Sequence, residues 1–172
     1  MQILLLVAVF ASFVSAGFYI RHYYKSRKIF FENLVSFCDH LLIEIAFQKN
    51  TILKIIDTYG DSYGHNFRNV LNGYQNLIDE KSDITRERLL EILKQKPKFS
   101  PFKLKSSEQI NVADFFYELG RHGASQENTK IQSKRIIFDN FFGDSSKSLK
   151  RDASIYFKLF ILFGIGAVIL LL

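Results

Sequence analysis

The 172 residues predict an all-α fold, a six-helix antiparallel bundle flanked by a transmembrane helix at each end. Three observations lead there. Residues 3–20 hold no charge, and residues 155–172 hold one, Lys158. At about 1.5 Å rise per residue each stretch reaches ~27 Å, close to the ~30 Å hydrocarbon core of a bilayer. Between them apolar residues recur at spacings of three and four, and no segment sustains a period of two. Two Pro and nine Gly are too few for a chain of many short strands.

Charge is segregated just as sharply. All 17 acidic residues and 22 of the 23 Lys and Arg lie between the two apolar stretches, which leaves the middle at +5. The predicted organisation is a membrane helix over 1–20, a polar helical domain over 21–154 and a second membrane helix over 155–172. The composition, 48% hydrophobic, is too apolar for a disordered chain.

The elements follow in order. Phe30, Phe31, Leu34, Val35, Phe37, Cys38, Leu41, Leu42, Ile45 and Ala46 form a wide apolar stripe. Glu32, Asn33, Asp39, His40 and Glu44 occupy the opposite face. No breaker lies between Gly17 and Gln48, so this helix continues from the first span. Lys49-Asn50-Thr51 marks a turn. Ile52, Leu53, Ile55, Ile56 and Tyr59 predict a short helix that Gly60 stops. Phe67, Val70, Leu71, Tyr74, Leu77 and Ile78 predict a third. Gly73 within it costs about 1 kcal/mol relative to Ala, which implies a packing reason. Ser82, Asp83 or Thr85 can cap a fourth helix carrying Leu89, Leu90, Ile92 and Leu93, ended by Pro97. Residues 94–105 read as a loop. Val112, Phe115, Phe116 and Leu119 make a fifth helix, stopped by Gly120 and Gly123. Ser125 can cap a sixth that runs through Ile131, Phe138, Phe141, Phe142 and Leu149 toward the second span. Gly143-Asp144-Ser145 is a candidate break within it.

Orientation follows from basic residues beside the spans. The first is followed by Arg21, Lys25, Arg27 and Lys28, and the second is preceded by Lys147, Lys150 and Arg151. Such charge stays in the cytoplasm, so the domain is expected there. Two rival readings compete. Val14-Ser15-Ala16 resembles a signal-peptide cleavage site, but no basic region precedes it. Asp144-Ser145-Ser146 could precede a lipid-anchor tail, but Lys158 interrupts that tail. Near the end of a spanning helix Lys158 can snorkel to the interface.

Chemistry is sparse. One Cys excludes an intrachain disulfide and a multi-cysteine zinc site, and the four His have no metal-binding spacing. No phosphate-binding glycine loop, His-Glu-x-x-His or nucleophile elbow occurs. Neither catalytic residues, a metal nor a cofactor are expected, and the chain is expected not to be an enzyme. Glu44, near Asp39 and His40, reads better as part of a solvated face than as a proton-transfer acid. Cys38 reads as a core residue. His122 reads as a partner of a helix C-terminus. The Lys-rich loop contributes Lys96, Lys98, Lys103 and Lys105 as candidate contacts to lipid or to an acidic partner. Phe99, Phe102 and Leu104 either join that contact or cover the bundle. A +5 excess is small for nucleic acid, and none is expected.

Three stretches resemble the stage III sporulation protein AB family. One is Leu42-Ile43-Glu44-Ile45 followed by Phe47. The second runs Phe116-Tyr117-Glu118-Leu119-Gly120 and then Gly123-Ala124-Ser125-Gln126-Glu127-Asn128. The third is the end of the chain, basic residues, Tyr156, Gly164, Gly166 and an apolar run. Gln126, Thr129 and Asn50-Thr51 depart from the family pattern. The resemblance implies a soluble domain like the six-helix cytoplasmic domain of the F-type platform protein of type II secretion and type IV pilus machines. It also implies the mother-cell membrane around the forespore, and a scaffold role in a secretion-like channel complex. The implied partners are a sporulation ATPase, other channel subunits and a second copy of the chain. Glu44, Gly120, Gly123, Ser125 and Glu127 are the matched positions and candidate partner contacts. For the glycines, helix termination alone is the simpler account. Two other functions stay open, a processed surface protein with a C-terminal anchor and a membrane-anchored ligand-binding bundle.

Overall fold

The computed structural model describes residues 2–45, 51–80, 83–95, 102–121 and 123–171. Among the described residues six α-helices follow one another: α1 (Gln2–Ile43), α2 (Ile52–Tyr59), α3 (His65–Asp79), α4 (Arg86–Lys94), α5 (Ser106–Glu118) and α6 (Ala124–Leu171). A 3-10 turn, Gly60–Ser62, joins α2 to α3. No strand occurs among the described residues.

Two long rods organise the molecule. At about 1.5 Å per residue α1 is ~63 Å long and α6 ~72 Å. They lie antiparallel along their whole length. Arg135 of α6 pairs with Asp39 of α1, Phe141 meets Phe31, and Phe157 meets Phe18 edge-on at 5.1 Å. Each rod crosses from the apolar stretch into the polar domain without a break, as expected for α1. The candidate break at Gly143-Asp144-Ser145 is not one. Ser145 is buried and donates its hydroxyl to the carbonyl of Phe141 at 2.7 Å. Packing of Phe141 and Phe142 against α1 and the core offsets the modest propensity cost of Gly143.

The two rods change character along their length. Within the bundle, Phe30, Phe31, Leu34, Phe37, Cys38 and Leu41 are fully buried. In the terminal parts the most apolar windows, of mean hydropathy 2.4 and 2.3, are only 6% buried inside the protein. Apolar surface on all sides, with almost no protein around it, suits lipid as the surrounding medium. Both helices are long and apolar enough to cross a membrane. Their mutual packing relies on glycine. A Cβ on Gly17 would lie 3.0 Å from the Phe157 ring, and one on Gly164 would lie 3.0 Å from the Phe10 ring. Small residues let membrane helices approach in this way. Ser12 and Ser15 return their hydroxyls to the carbonyls of Ala8 and Ala11, so neither is unsatisfied in lipid.

The four shorter helices pack on the polar halves of these rods. α2 is capped by Thr51, whose Oγ1 accepts from the Lys54 N–H. Of the three caps expected for α4, Thr85 serves, accepting from the Arg88 N–H. Ser82 and Pro97 lie outside the described residues, and α4 ends at Lys94. Gly60 ends α2 in a right-handed conformation, φ −55°, that leads into the 3-10 turn. Its stop therefore does not use glycine's left-handed freedom. Gly73 has the packing reason its cost implied, since a Cβ there would lie 2.8 Å from the Ile92 Cγ2 of α4. The core joins α1 to Phe67, Leu71 and Tyr74 of α3, Val112, Phe115 and Phe116 of α5, and Ile131 and Phe138 of α6. Phe102 and Leu104 are buried, so this part of the loop covers the bundle.

Cys38 is a core residue, as its spacing indicated. Burial, and next the neighbouring Asp39, raise its thiol pKa to about 12. The Cys38 thiol is therefore expected to ignore a water-soluble disulfide reagent at pH 8 until the bundle unfolds, as followed by absorbance against denaturant. The fold favours the neutral thiol. That contribution is complete below the unfolded value near pH 8.5 and is lost as pH rises toward 12.

Candidate functional site

The antiparallel rods place the end of α1 and the start of α6 together, at the end of the bundle far from the apolar stretches. Residue 43 lies 23 residues beyond residue 20, about 35 Å along α1. The two internal stretches that carry the family resemblance meet here, and both bear on α2.

Glu44 sits where α1 widens into a π-helical turn. It is buried, against the expectation of a solvated face, and its Oε1 accepts the Tyr59 hydroxyl of α2 at 2.7 Å. That hydrogen bond, before any other cause, raises the Tyr59 pKa. The His40 ring stacks on Tyr59 at 4.1 Å, and its Nδ1 lies 2.6 Å from the Tyr63 hydroxyl. Glu44 thus holds α2 against α1, while Asp39 pairs with Arg135 rather than with Glu44.

The second stretch turns the chain from α5 into α6. Gly120 has φ +80°. A Cβ there would be strained, and would also meet Ile52 Cδ1 of α2 at 2.7 Å. The Gly120 N–H donates to Glu127 Oε1 at 2.8 Å. Glu127 is buried, and burial followed by the Glu127 charge raises the Tyr74 pKa to about 12. Gly123 lies just ahead of α6 and its carbonyl accepts from the Glu127 N–H, so Gly123 takes the capping place expected of Ser125. Ser125 is an exposed residue of the first turn. Gly120 and Glu127 therefore form one turn-locking pair, Gly123 adjoins them, and Glu44 reaches the same assembly through α2. Gly120→Ala is expected to cost about 1–2 kcal/mol, mostly backbone strain, because the Ile52 methyl can move aside. Thermal unfolding in detergent measures it.

The outer surface of this end is charged and aromatic. Arg121 lies 3.9 Å over the Tyr117 ring, and Arg86 reaches the same ring at 5.2 Å. Arg86 also pairs with Asp114 at 2.9 Å, and Arg121 donates to the Ile84 carbonyl at 3.2 Å. Arg86, Tyr117 and Arg121, with Asp83, Thr85 and Glu87, line an open cleft of about 620 Å³. Nothing in the sequence marked Arg86 of α4 as a neighbour of Tyr117 at the end of α5 and Arg121 in the turn that follows, because α4 lies about thirty residues earlier in the chain.

The basic loop lies at the opposite end. Lys103 and Lys105 are exposed, and the Lys105 N–H donates to Glu108 Oε2 at 2.9 Å at the start of α5. Glu108 in turn takes a buried, bidentate pair from Arg27, whose Nε lies 3.2 and 3.1 Å from the two carboxylate oxygens and whose Nη2 also bonds Oε1. Arg27, counted from sequence among the charges beside the membrane, is instead a core contact. Lys96, Lys98, Phe99 and His122 lie outside the described residues. Among the described residues no group of three His, Cys, Asp or Glu could hold a metal ion.

Residues 2–172 match the family described as stage III sporulation protein AB. The chain belongs to that family. No curated protein and no solved structure matches it. Membership and the two lipid-suited helices together fit a sporulation membrane protein. As a stage III sporulation protein AB family member, the chain has its matched acidic and glycine positions inside the structure, as fasteners of α2 and of the α5–α6 turn. The exposed surface above them is built by Tyr117, Arg86 and Arg121.

Proposed function

We propose that this protein is an integral-membrane platform subunit of a sporulation secretion-type channel complex. In this reading its helical domain faces the cytoplasm of the mother cell, and it couples a cytoplasmic ATPase to the membrane complex. The F-type secretion platform is the architectural analogy, and the role is scaffolding rather than catalysis.

The observation that carries the reading is the continuity of α1 and α6. A protein docked on the far end bears on two paired helices that enter the bilayer without a linker. Displacement or torque applied about 35 Å from the membrane is passed to the spans, where a flexible linker would dissipate it. The docking surface has interface chemistry. Tyr and Arg are the residue types enriched among binding hot spots, and Tyr117 lies between two Arg here. Orientation is supported by Arg21, Lys25 and Lys28 on one rod and Lys147, Lys150 and Arg151 on the other, all on the domain side of the spans.

Topology is tested with single cysteines at the exposed Ser62 and Ser106, in a Cys38→Ala background. Membrane-impermeant thiol reagents are expected to label permeabilised but not intact mother cells, and intact mass is expected to show the N-terminal span retained. Capture of the ATPase on the full chain is then expected to weaken at least tenfold with Arg121→Glu and to survive Lys103→Glu. Labelling in intact cells, or cleavage after Ala16, would instead support the processed surface-protein reading.

A further inference from the structure

A second cleft, of about 810 Å³, lies where the rods leave the apolar stretches. Its walls are Phe18, Arg21, His22, Lys25, Lys28 and Ile29 of α1 and Leu149, Lys150, Ser154 and Phe157 of α6. We propose that this cleft binds the phosphate-bearing headgroup of an anionic membrane lipid.

Depth is the first argument. Residues 21, 22 and 25 lie one to five residues past residue 20, about 1.5–7.5 Å along the helix. Lys150 lies five residues before residue 155, about the same distance on the other rod. The polar headgroup layer of one leaflet is about 5–7.5 Å thick. The cations therefore sit at headgroup level, and the Phe18–Phe157 pair lies beside the acyl chains.

Charge is the second argument. Among the described residues no carboxylate lines the cleft. Of the nearby acids, Asp152 is engaged by Arg151 at 2.8 Å, and Glu32 pairs at 3.3 Å with Lys28 of the cleft itself. Lys28 also lies over the Phe142 ring, so it contributes least. Arg21, His22, Lys25 and Lys150 form no ion pair or hydrogen bond with another described side chain, which leaves their donors for a ligand. Arg and Lys donors converging from two helices suit phosphate oxygens. A free phosphate offers the same oxygens. The apolar wall of Phe18 and Phe157 has a use only if the phosphate carries acyl chains.

The proposal needs the two spans to lie in a bilayer, and it is independent of the ATPase reading and of which side the domain faces. The full chain is reconstituted in nanodiscs of phosphatidylcholine alone, with 30% phosphatidylglycerol, and with cardiolipin at matched charge. Lipid that stays bound is counted by native mass spectrometry. Each cation near an anionic surface is worth about fivefold in affinity, so Arg21→Gln/Lys25→Gln/Lys150→Gln is expected to lower retention of anionic lipid about a hundredfold. Lys54→Gln/Arg88→Gln/Lys134→Gln removes equal charge on the bundle away from the spans and is expected to keep it. Circular dichroism confirms that both variants are helical. Equal loss in the two triple variants would overturn the site in favour of general surface attraction. Displacement of the bound lipid by millimolar inorganic phosphate, with equal affinity, would overturn the lipid as its occupant.

Discussion

Replacing Arg27 with Leu is expected to lower the stability of the bundle by about 3–5 kcal/mol, because it leaves the Glu108 carboxylate buried and unpaired. Both side chains are nearly inaccessible, at 3% and 2% exposure. Glu108 has a second duty, accepting the Lys105 N–H at the start of α5. Glu108→Gln keeps an acceptor for that N–H while removing the charge, so its loss is expected to be smaller than that of Glu108→Ala. The double variant Arg27→Leu/Glu108→Leu removes both charges at once and is expected to recover most of the loss. Denaturant unfolding in detergent, followed by circular dichroism, measures all four. Equal loss in the single and double variants would show that packing, not the pair, sets the cost. The pair joins α5 to α1 about 10 Å past the last residue of the first span. Its loss is therefore also expected to loosen the bundle from the membrane helices first, seen as earlier proteolysis of α5.

Phe37→Ala is expected to cost a similar amount, about 3–5 kcal/mol. Phe37 of α1 is fully buried where α3, α5 and the connection leading into α3 converge on it. Its ring meets Tyr63 at 6.0 Å and Phe67 at 5.7 Å, both edge-on, and stacks with Phe116 at 6.2 Å. Truncation leaves a cavity that none of these rigid rings can fill by rotation. Phe37→Leu keeps most of the volume and is expected to cost less than half as much. Ile136→Ala, on the exposed side of α6 at 62% exposure, is expected to lie within about 0.5 kcal/mol of the parent. The same denaturant titration compares them.

Several details show where sequence reasoning stops. Glu44 occupies a helical position opposite the apolar stripe, and periodicity alone assigns it to solvent. Its burial comes from α2, which folds back and offers the Tyr59 hydroxyl. Ser125 has the right chemistry for a cap, but α6 starts two residues earlier than that cap would place it, behind the left-handed Gly120 turn. Arg27 belongs by position to the charges beside a membrane span. A partner 81 residues away turns it inward. For Glu44 and Arg27 the deciding neighbour is distant in the chain, so no local pattern could carry the signal. The Gly143 segment differs in kind, because the propensity cost was legible and the packing that offsets it was not.

Two kinds of information thus divide this protein. Local composition and period determined the helical class, the continuous first helix, the two lipid-suited ends and the burial of Cys38. Each of these follows from how a stretch of chain partitions between water and an apolar medium, which depends on that stretch alone. The family's motif stretches were also legible, as short strings of residue types. Only the tertiary structure decided that the matched Glu44, Gly120 and Glu127 are fasteners, that Tyr117, Arg86 and Arg121 form a surface, and that the two rods enclose a basic cleft where they leave the apolar stretches. Those features depend on which helices become neighbours. The antiparallel register of α1 and α6, set by rings and glycines along some sixty ångströms, fixes that.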